Sequence, residues 1–381
     1  MENDKPIYLD YNATTPVLPE VIEALLPWLH DGFGNPSSGH VYGQRTKAAI
    51  EEARAQVAEL IGCSVEEILF TSGGTEANNL AIRGVLEAHP EKKHIITSSI
   101  EHPATSKPCA YMTRHGWRQD ILGVDSQGQV NADEIEETLG AHTCLVTIMH
   151  ANNETGVLQP ITAISRVTHA NGTFFHTDAA QSLGKVPVDV HALGVDFLSI
   201  AGHKLYAPKG VGALFIKKGV RVSPVLLGAG HERGLRPGTE NVAFIVALGK
   251  ACEIAKNTLA TESKRVQVLR DDLWLRLNKL VPGIALNGHP TERLPNTLSV
   301  RFPRVTGPSL LAYTPGLAAS TGSACHEGHD TASSVITSMG VRPEEALGTV
   351  RLTLGRGTTE EMVEEAAQLL AEAWMQLALR R

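Results

Sequence analysis

The chain repeats one unit: a short apolar run ends in polar residues and is followed by a segment of helix length. ILFTS (68–72), HIITSSI (94–100), CLVTIM (144–149), TFFHTD (173–178) and FLSIAG (197–202) are such runs, rich in β-branched and aromatic residues. Runs that are apolar on both faces and spaced by helices predict an α/β fold with a mainly parallel sheet covered by helices. GVGALFIKKG (210–219) and VSPVLLG (222–228) predict two further strands.

At 381 residues the chain exceeds one ordinary core and fits a large domain with a smaller partner. Residues 239–281 contain no proline and read as one long helix, which is long enough to join two domains, so the boundary is placed inside it. Beyond it, NTLSVRF (296–302), VRLTLG (350–355) and the helical TTEEMVEEAAQLLAEAWMQLALR (358–380) predict a smaller α+β domain. The extreme N-terminus can pack there. The expected division is 16–254 for the large domain, with 1–15 and 255–381 forming the small one.

A net charge of -7 gives no field that would gather nucleic acid, so no nucleic-acid partner is expected. No run is apolar enough to span a bilayer, and MENDKPIYLDYNATTP lacks the basic and apolar stretches of an export signal. The expectation is no membrane association and a cytoplasmic location. The five cysteines are odd in number, scattered and never spaced CxxC, which predicts free thiols rather than disulfides or a zinc knuckle.

In open α/β sheets, ligands sit beyond the carboxyl ends of the strands. Polar residues fall at five successive ends: Ser72, Gly73, Gly74 and Thr75; Glu101 and His102; Asn152 and Asn153; Asp178; His203 and Lys204. Each alone has a plain structural reading. TSGGTEANNL suits a turn and helix cap, His102 a structural histidine, Asp178 a cap, and Lys204 a solvated surface charge. Together they match the needs of pyridoxal 5'-phosphate (PLP): a lysine to bond it, an anion for the ring nitrogen and a helix end for the phosphate. A carboxylate at Asp178 would keep the ring nitrogen protonated and the ring an electron sink. Lys204, partly desolvated, could lose its proton and act as nucleophile and base.

YLDYNATTP, GNPSS, ILFTSGGTEANNLAI, EHPA, IMHANNETG, HTDAAQSLGK, GHKLYAPKG, HERGLRPGTEN, GSACH and VRLTLGR follow one another along nearly the whole chain. In this series the chain resembles the cysteine desulfurases of the nitrogen-fixation and iron-sulfur-cluster type, among the class V aminotransferase-like PLP enzymes. The resemblance implies the fold type I of PLP-dependent transferases, with a large domain built on a mainly parallel seven-stranded sheet and a smaller α+β domain. It implies that Lys204 is the Schiff-base lysine, Asp178 the pyridinium partner, Gln181 a donor to the ring hydroxyl and His102 the stacking imidazole. Gly74 and Thr75 at the helix start and His203 would hold the phosphate, with Thr239 of GTEN reaching it across a homodimer interface. Arg351 and Asn153 would receive the substrate carboxylate, a role for which arginine is suited by its bidentate geometry.

Cys325, in STGSACHEGHD, matches the family nucleophile, while Cys63, Cys109, Cys144 and Cys252 read as small buried groups. Its small neighbours and the polar run after it predict a mobile exposed loop. CHEGHD lacks a tetrahedral ligand pattern, so no metal is expected. Two departures stand out. Ala201 occupies a position where many relatives carry a phosphate-binding serine, and GSACHEGHD, LPNT and RPGTEN also resemble selenocysteine lyases. The function implied is conversion of L-cysteine to L-alanine, with sulfur passing as a persulfide on Cys325 to an acceptor protein such as an iron-sulfur scaffold. The alternative is a lyase that uses selenocysteine.

Overall fold

The computed structural model describes residues 5–322 and 331–379. The strands there are β1 (Ile7–Tyr8), β2 (Ile68–Thr71), β3 (His94–Ser98), β4 (Arg118–Leu122), β5 (Thr143–Thr147), β6 (Phe174–Asp178), β7 (Phe197–Ala201), β8 (Gly212–Ile216), β9 (Ala285–Leu286), β10 (Thr297–Arg301), β11 (Leu317–Ala318) and β12 (Thr349–Thr353). Seven of them form one sheet in the order β2-β8-β7-β6-β5-β3-β4. β3 to β7 run parallel, whereas β8 is antiparallel to both β7 and β2. All five predicted parallel-type runs enter this sheet, and β2, β3, β5, β7 and β8 are buried along their whole length.

One predicted strand is absent, and one strand was not predicted. VSPVLLG forms no strand. Pro224 has no N–H for a ladder, and the segment lies instead on the helix Gly74–Ala88, with the Ser223 N–H donating to Gly84 O at 2.9 Å. Val222 and Val225 pack on the apolar cluster beneath that helix. The second strand beyond the five runs, besides β8, is β4, an edge strand with the sequence RQDIL. It pairs only with β3 and is largely exposed, so no continuous apolar run marks it.

The helix Val242–Leu280 has 39 residues, about 58 Å at the α-helical rise. Its first part, from Val242 to Ala255, packs in a core with the sheet and the helix Val41–Ile61. Its later part, from Val266 to Leu277, packs in a second core with Ile7, Leu9, Leu298, Val350, Leu352 and the helix Glu360–Ala378. There β12, β10 and β9 make an antiparallel sheet, and β1 pairs with β11. Asp10 bridges to Thr353, and just after it Asn12 O accepts from Gln181 and Lys204, beyond the ends of β6 and β7.

Candidate active site at the strand ends

The turn after β2 is built for close approach. Gly73 has φ +148°, a conformation open to glycine and strained for side-chain-bearing residues. A Cβ on Gly212, in β8 beneath it, would lie 2.7 Å from Gly73 Cα and 2.4 Å from Ile200 O. The helix Gly74–Ala88 then begins with no side chain capping it. Its first N–H groups are left without a side-chain acceptor, which is how a helix receives an anion. Glu76 turns back instead, accepting from Ser72 N–H at 2.7 Å and from Arg236 at 2.9 Å. Ala201 sits directly under this end, since a Cβ on Gly74 would lie 3.2 Å from Ala201 Cβ. Ala201 offers the helix end no polar group.

Beyond β7 the chain enters a short 3-10 turn, Gly202–Lys204. Lys204 Nζ donates to the main-chain oxygens of Asn12 (2.5 Å) and Ala13 (2.7 Å). Burial, reinforced by the nearby Arg351 charge, lowers its amine to about 8, against opposing pulls from Asp10 and Asp178. His203 is lowered to about 4, first by burial and then by Lys204 and Lys209, so its ring is neutral at physiological pH. Its Nδ1 lies 3.2 Å from Thr14 Oγ1.

Asp178 ends β6, with Oδ2 accepting from Asn78 Nδ2 at 2.7 Å and Oδ1 accepting from Ala180 N–H at 2.9 Å. Asn78 is fully buried and also donates to Thr105 Oγ1. His102 caps the helix Pro103–Thr113: its Nδ1 accepts from Ala104 N–H at 3.1 Å, which leaves the proton of the neutral ring on Nε2. His102 is exposed, yet the surrounding protein lowers its pKa, with Asp178 raising it and Lys204 lowering it further. The carboxyl of Glu101, wholly enclosed, is raised to about 8 by burial, against N–H donation from Met149 and O–H donation from Ser98.

Gln181 Nε2 donates to Asn12 O at 3.0 Å, and its Oε1 accepts from Lys185 Nζ at 3.0 Å. Arg351, in β12, donates from Nη2 to Asp10 Oδ1 at 2.7 Å and from Nη1 to Asn153 O at 3.0 Å. Its Nε is buried without a partner among the described residues. Asn153 O also accepts from Asn12 Nδ2 at 3.3 Å.

The predicted lysine, carboxylate, glutamine, imidazole and arginine therefore share one charge and hydrogen-bond network. Thr75 is exposed at the helix start, and Thr239 is exposed on a loop tied to that helix by the Arg236–Glu76 pair. Cys325 lies outside the described residues. Asn12, Asn78, Lys185 and Asp10 escaped the sequence reading. YLDYNATTP, TEANN and SLGK carried all four inside quoted motifs, but their partners lie a hundred or more residues away.

The residues present fit PLP: a helix end without a side-chain cap, a lysine lowered to about 8 that feels the charges of Asp178 and Arg351, and a buried arginine Nε with no acceptor among the described residues. Known proteins resemble this chain along nearly its whole length. The family model described as aminotransferase class-V matches residues 7–365. Cysteine desulfurase 2 of Trichormus variabilis is 46% identical over 366 residues, 96% of this chain and 92% of that protein. Cysteine desulfurase IscS of Dictyoglomus turgidum is 46% identical over 360 residues, 94% and 91% of the two chains. Among solved structures, a NifS-like protein superposes with TM-score 0.91 at 37% identity, covering 98% of this chain and 100% of that one. A NifS-like protein from Rickettsia africae gives 0.88 at 32% identity, covering 97% and 99%. By the span of the family match and these identities, the chain belongs to the class V aminotransferase family.

Proposed function

We propose that this protein is a PLP-dependent cysteine desulfurase, a sulfurtransferase that turns L-cysteine into L-alanine and passes the sulfur on. The observation that carries the reading is Lys204: its amine, lowered to about 8, lies in one electrostatic network with Asp178 and Arg351. The relatives' names support the choice of reaction within the family.

Bound PLP would supply an electron sink for the pair left when the α-proton departs. Lys204 would hold it and, once free, take that proton as a base with a pKa near neutrality. Asp178, fixed by Asn78 and Ala180 N–H, would face the ring nitrogen. Gln181 would donate to the ring hydroxyl, and His102, with its Nε2–H, would cover the ring and carry protons. Gly74, Thr75 and the neutral His203 would receive the phosphate, with Thr239 reaching it from a second subunit of a homodimer. Arg351 and the side chain of Asn153 would take the substrate carboxylate. The Cys325 thiolate then attacks the substrate sulfur. The carbon–sulfur bond breaks with its electron pair going to the β-carbon, one proton added there and one returned to the α-carbon complete alanine, and Cys325 keeps the sulfur as a persulfide.

This reading carries a cytoplasmic enzyme that hands sulfur to an acceptor protein such as an iron-sulfur scaffold. It also divides the chain into a large unit, 16–254, and a small one, 1–15 with 255–381, in line with the two apolar cores. The motifs shared with selenocysteine lyases favour selenocysteine as the second candidate substrate. The test is a side-by-side assay of sulfide and selenide release, with alanine quantified. Alanine from cysteine at a useful rate is expected; release from selenocysteine alone would reassign the substrate, and release from neither would overturn the reading.

A further inference from the structure

A lysine lies enclosed in the site with no carboxylate partner. Lys185 Nζ donates to two neutral oxygens, Asn12 Oδ1 at 3.1 Å and Gln181 Oε1 at 3.0 Å. No acidic side chain pairs with it among the described residues. The charged groups about it are Lys204 and Arg351, with Lys204, Glu262 and Arg356 lining the same small cavity as Lys185. Two acceptors match the two N–H bonds of a neutral amine, whereas an ammonium would leave a third without a partner. Burial, then Lys204 and Arg351, holds the amine well below the ordinary lysine range, which agrees with that count.

Gln181 is buried, and an amide can present either end. Its Nε2 spends one N–H on Asn12 O and has a second with no acceptor among the described residues. Its Oε1 has one donor there, Lys185. Asn12 is itself fixed at every polar atom: Nδ2 donates to Thr297 Oγ1 and Asn153 O, Oδ1 accepts from Asn296 Nδ2 as well as Lys185, and its N–H donates to Thr353 Oγ1. The carbonyl against which Gln181 rests is therefore rigid, and the other end of the amide is held by the lysine.

We propose, resting on the functional reading above, that Lys185 is a positioning residue that acts through Gln181: by donating to Gln181 Oε1 it keeps the amide turned so that an N–H, not an oxygen, faces the ring hydroxyl of PLP. Without Lys185, the orientation that presents the donor leaves a buried oxygen unpaired, and an unmade hydrogen bond inside a protein is costly. Gln181 then loses its fixed aim although its own side chain is intact.

The test is a double-mutant cycle on the full-length protein with Lys185→Met, Gln181→Ala and the pair. PLP affinity of the cofactor-free protein and kcat are measured, with KM for cysteine as control. Lys185→Met is expected to weaken PLP binding and lower kcat by about tenfold each, the scale of one lost hydrogen bond at the cofactor. KM should hold, because neither residue touches the carboxylate site. The double variant should match Gln181→Ala within about twofold, since residues that act through one another do not add. Multiplying losses, or a Lys185→Met protein that equals wild type, would overturn the proposal. Should Lys185→Met not fold, Lys185→Gln, which keeps a donor, completes the same cycle: a loss that vanishes in the Gln181→Ala background supports the proposal, and one that persists there overturns it. Wild-type protein that binds no PLP and releases no sulfur would instead overturn the functional reading.

Discussion

Arg351 and Asp10 are paired at 2.7 Å in the region where a substrate carboxylate is expected, and the pair joins β12 to the N-terminal segment. Arg351 is 5% exposed, and its Nε still lacks a partner among the described residues. Asp10 therefore orients the arginine without exhausting its donors.

Arg351→Ala should lower kcat/KM for cysteine by about 2–5 kcal/mol, the range for truncating one side of a buried charge pair. PLP content should largely survive, because no cofactor contact is assigned to Arg351. Steady-state kinetics with the PLP absorbance as control checks this. An unchanged kcat/KM would move the carboxylate site elsewhere.

The same arginine sets a pH dependence. Lysine bonds PLP only as the free amine, and Lys204 is lowered to about 8, so PLP capture by the cofactor-free protein should accelerate as pH rises through that value and level off above it. An unperturbed lysine would keep accelerating toward its ordinary pKa of about 10.4. Because Arg351 lowers Lys204, Arg351→Ala should move the capture midpoint upward. Stopped-flow absorbance across the pH range reads both effects. A midpoint that falls in the variant would contradict the electrostatic assignment.

Asn78→Ala should weaken PLP binding, because it removes the 2.7 Å donor that aims Asp178. A hydrogen bond to a charged group contributes about 1.5–3 kcal/mol, so the dissociation constant should rise roughly tenfold or more. Titration of cofactor-free protein with PLP measures it. Unaltered affinity would show that Ala180 N–H suffices to hold the carboxylate.

How far the site was legible follows from the range of its contacts. Buried parallel strands announce themselves by runs apolar on both faces, so the ends carrying His102, Asp178 and Lys204 could be read locally. β4 could not, since it pairs on one side and keeps polar residues, and VSPVLLG imitated a strand while serving as a cover for a helix. Asn12 was the harder case. Its partners Thr297 and Thr353 lie 285 and 341 residues away, and only the folded chain brings them to the lysine. Likewise, nothing in SLGK separates an enclosed Lys185 from a solvated one.

The final prediction concerns which thiol receives the sulfur. Attack requires the thiolate, and burial pushes Cys63, Cys109 and Cys144 up to about 12, while Cys252, fully enclosed, is raised as well. Cys109, Cys144 and Cys252 are also buried from any acceptor protein. At neutral pH these four remain thiols and poor nucleophiles, so under the proposed function Cys325, the family-matched cysteine, is expected to carry the persulfide. Cys325→Ser should keep the PLP absorbance, since no cofactor contact is assigned to that residue, and should abolish sulfur transfer from cysteine, because a hydroxyl supplies almost no anion at this pH. Selenocysteine should tolerate the change better, since selenium leaves carbon more readily. Mass spectrometry of wild-type protein after incubation with cysteine should find the added sulfur on Cys325. Its appearance on Cys63 or any buried cysteine, or full transfer by Cys325→Ser, would sink the assignment.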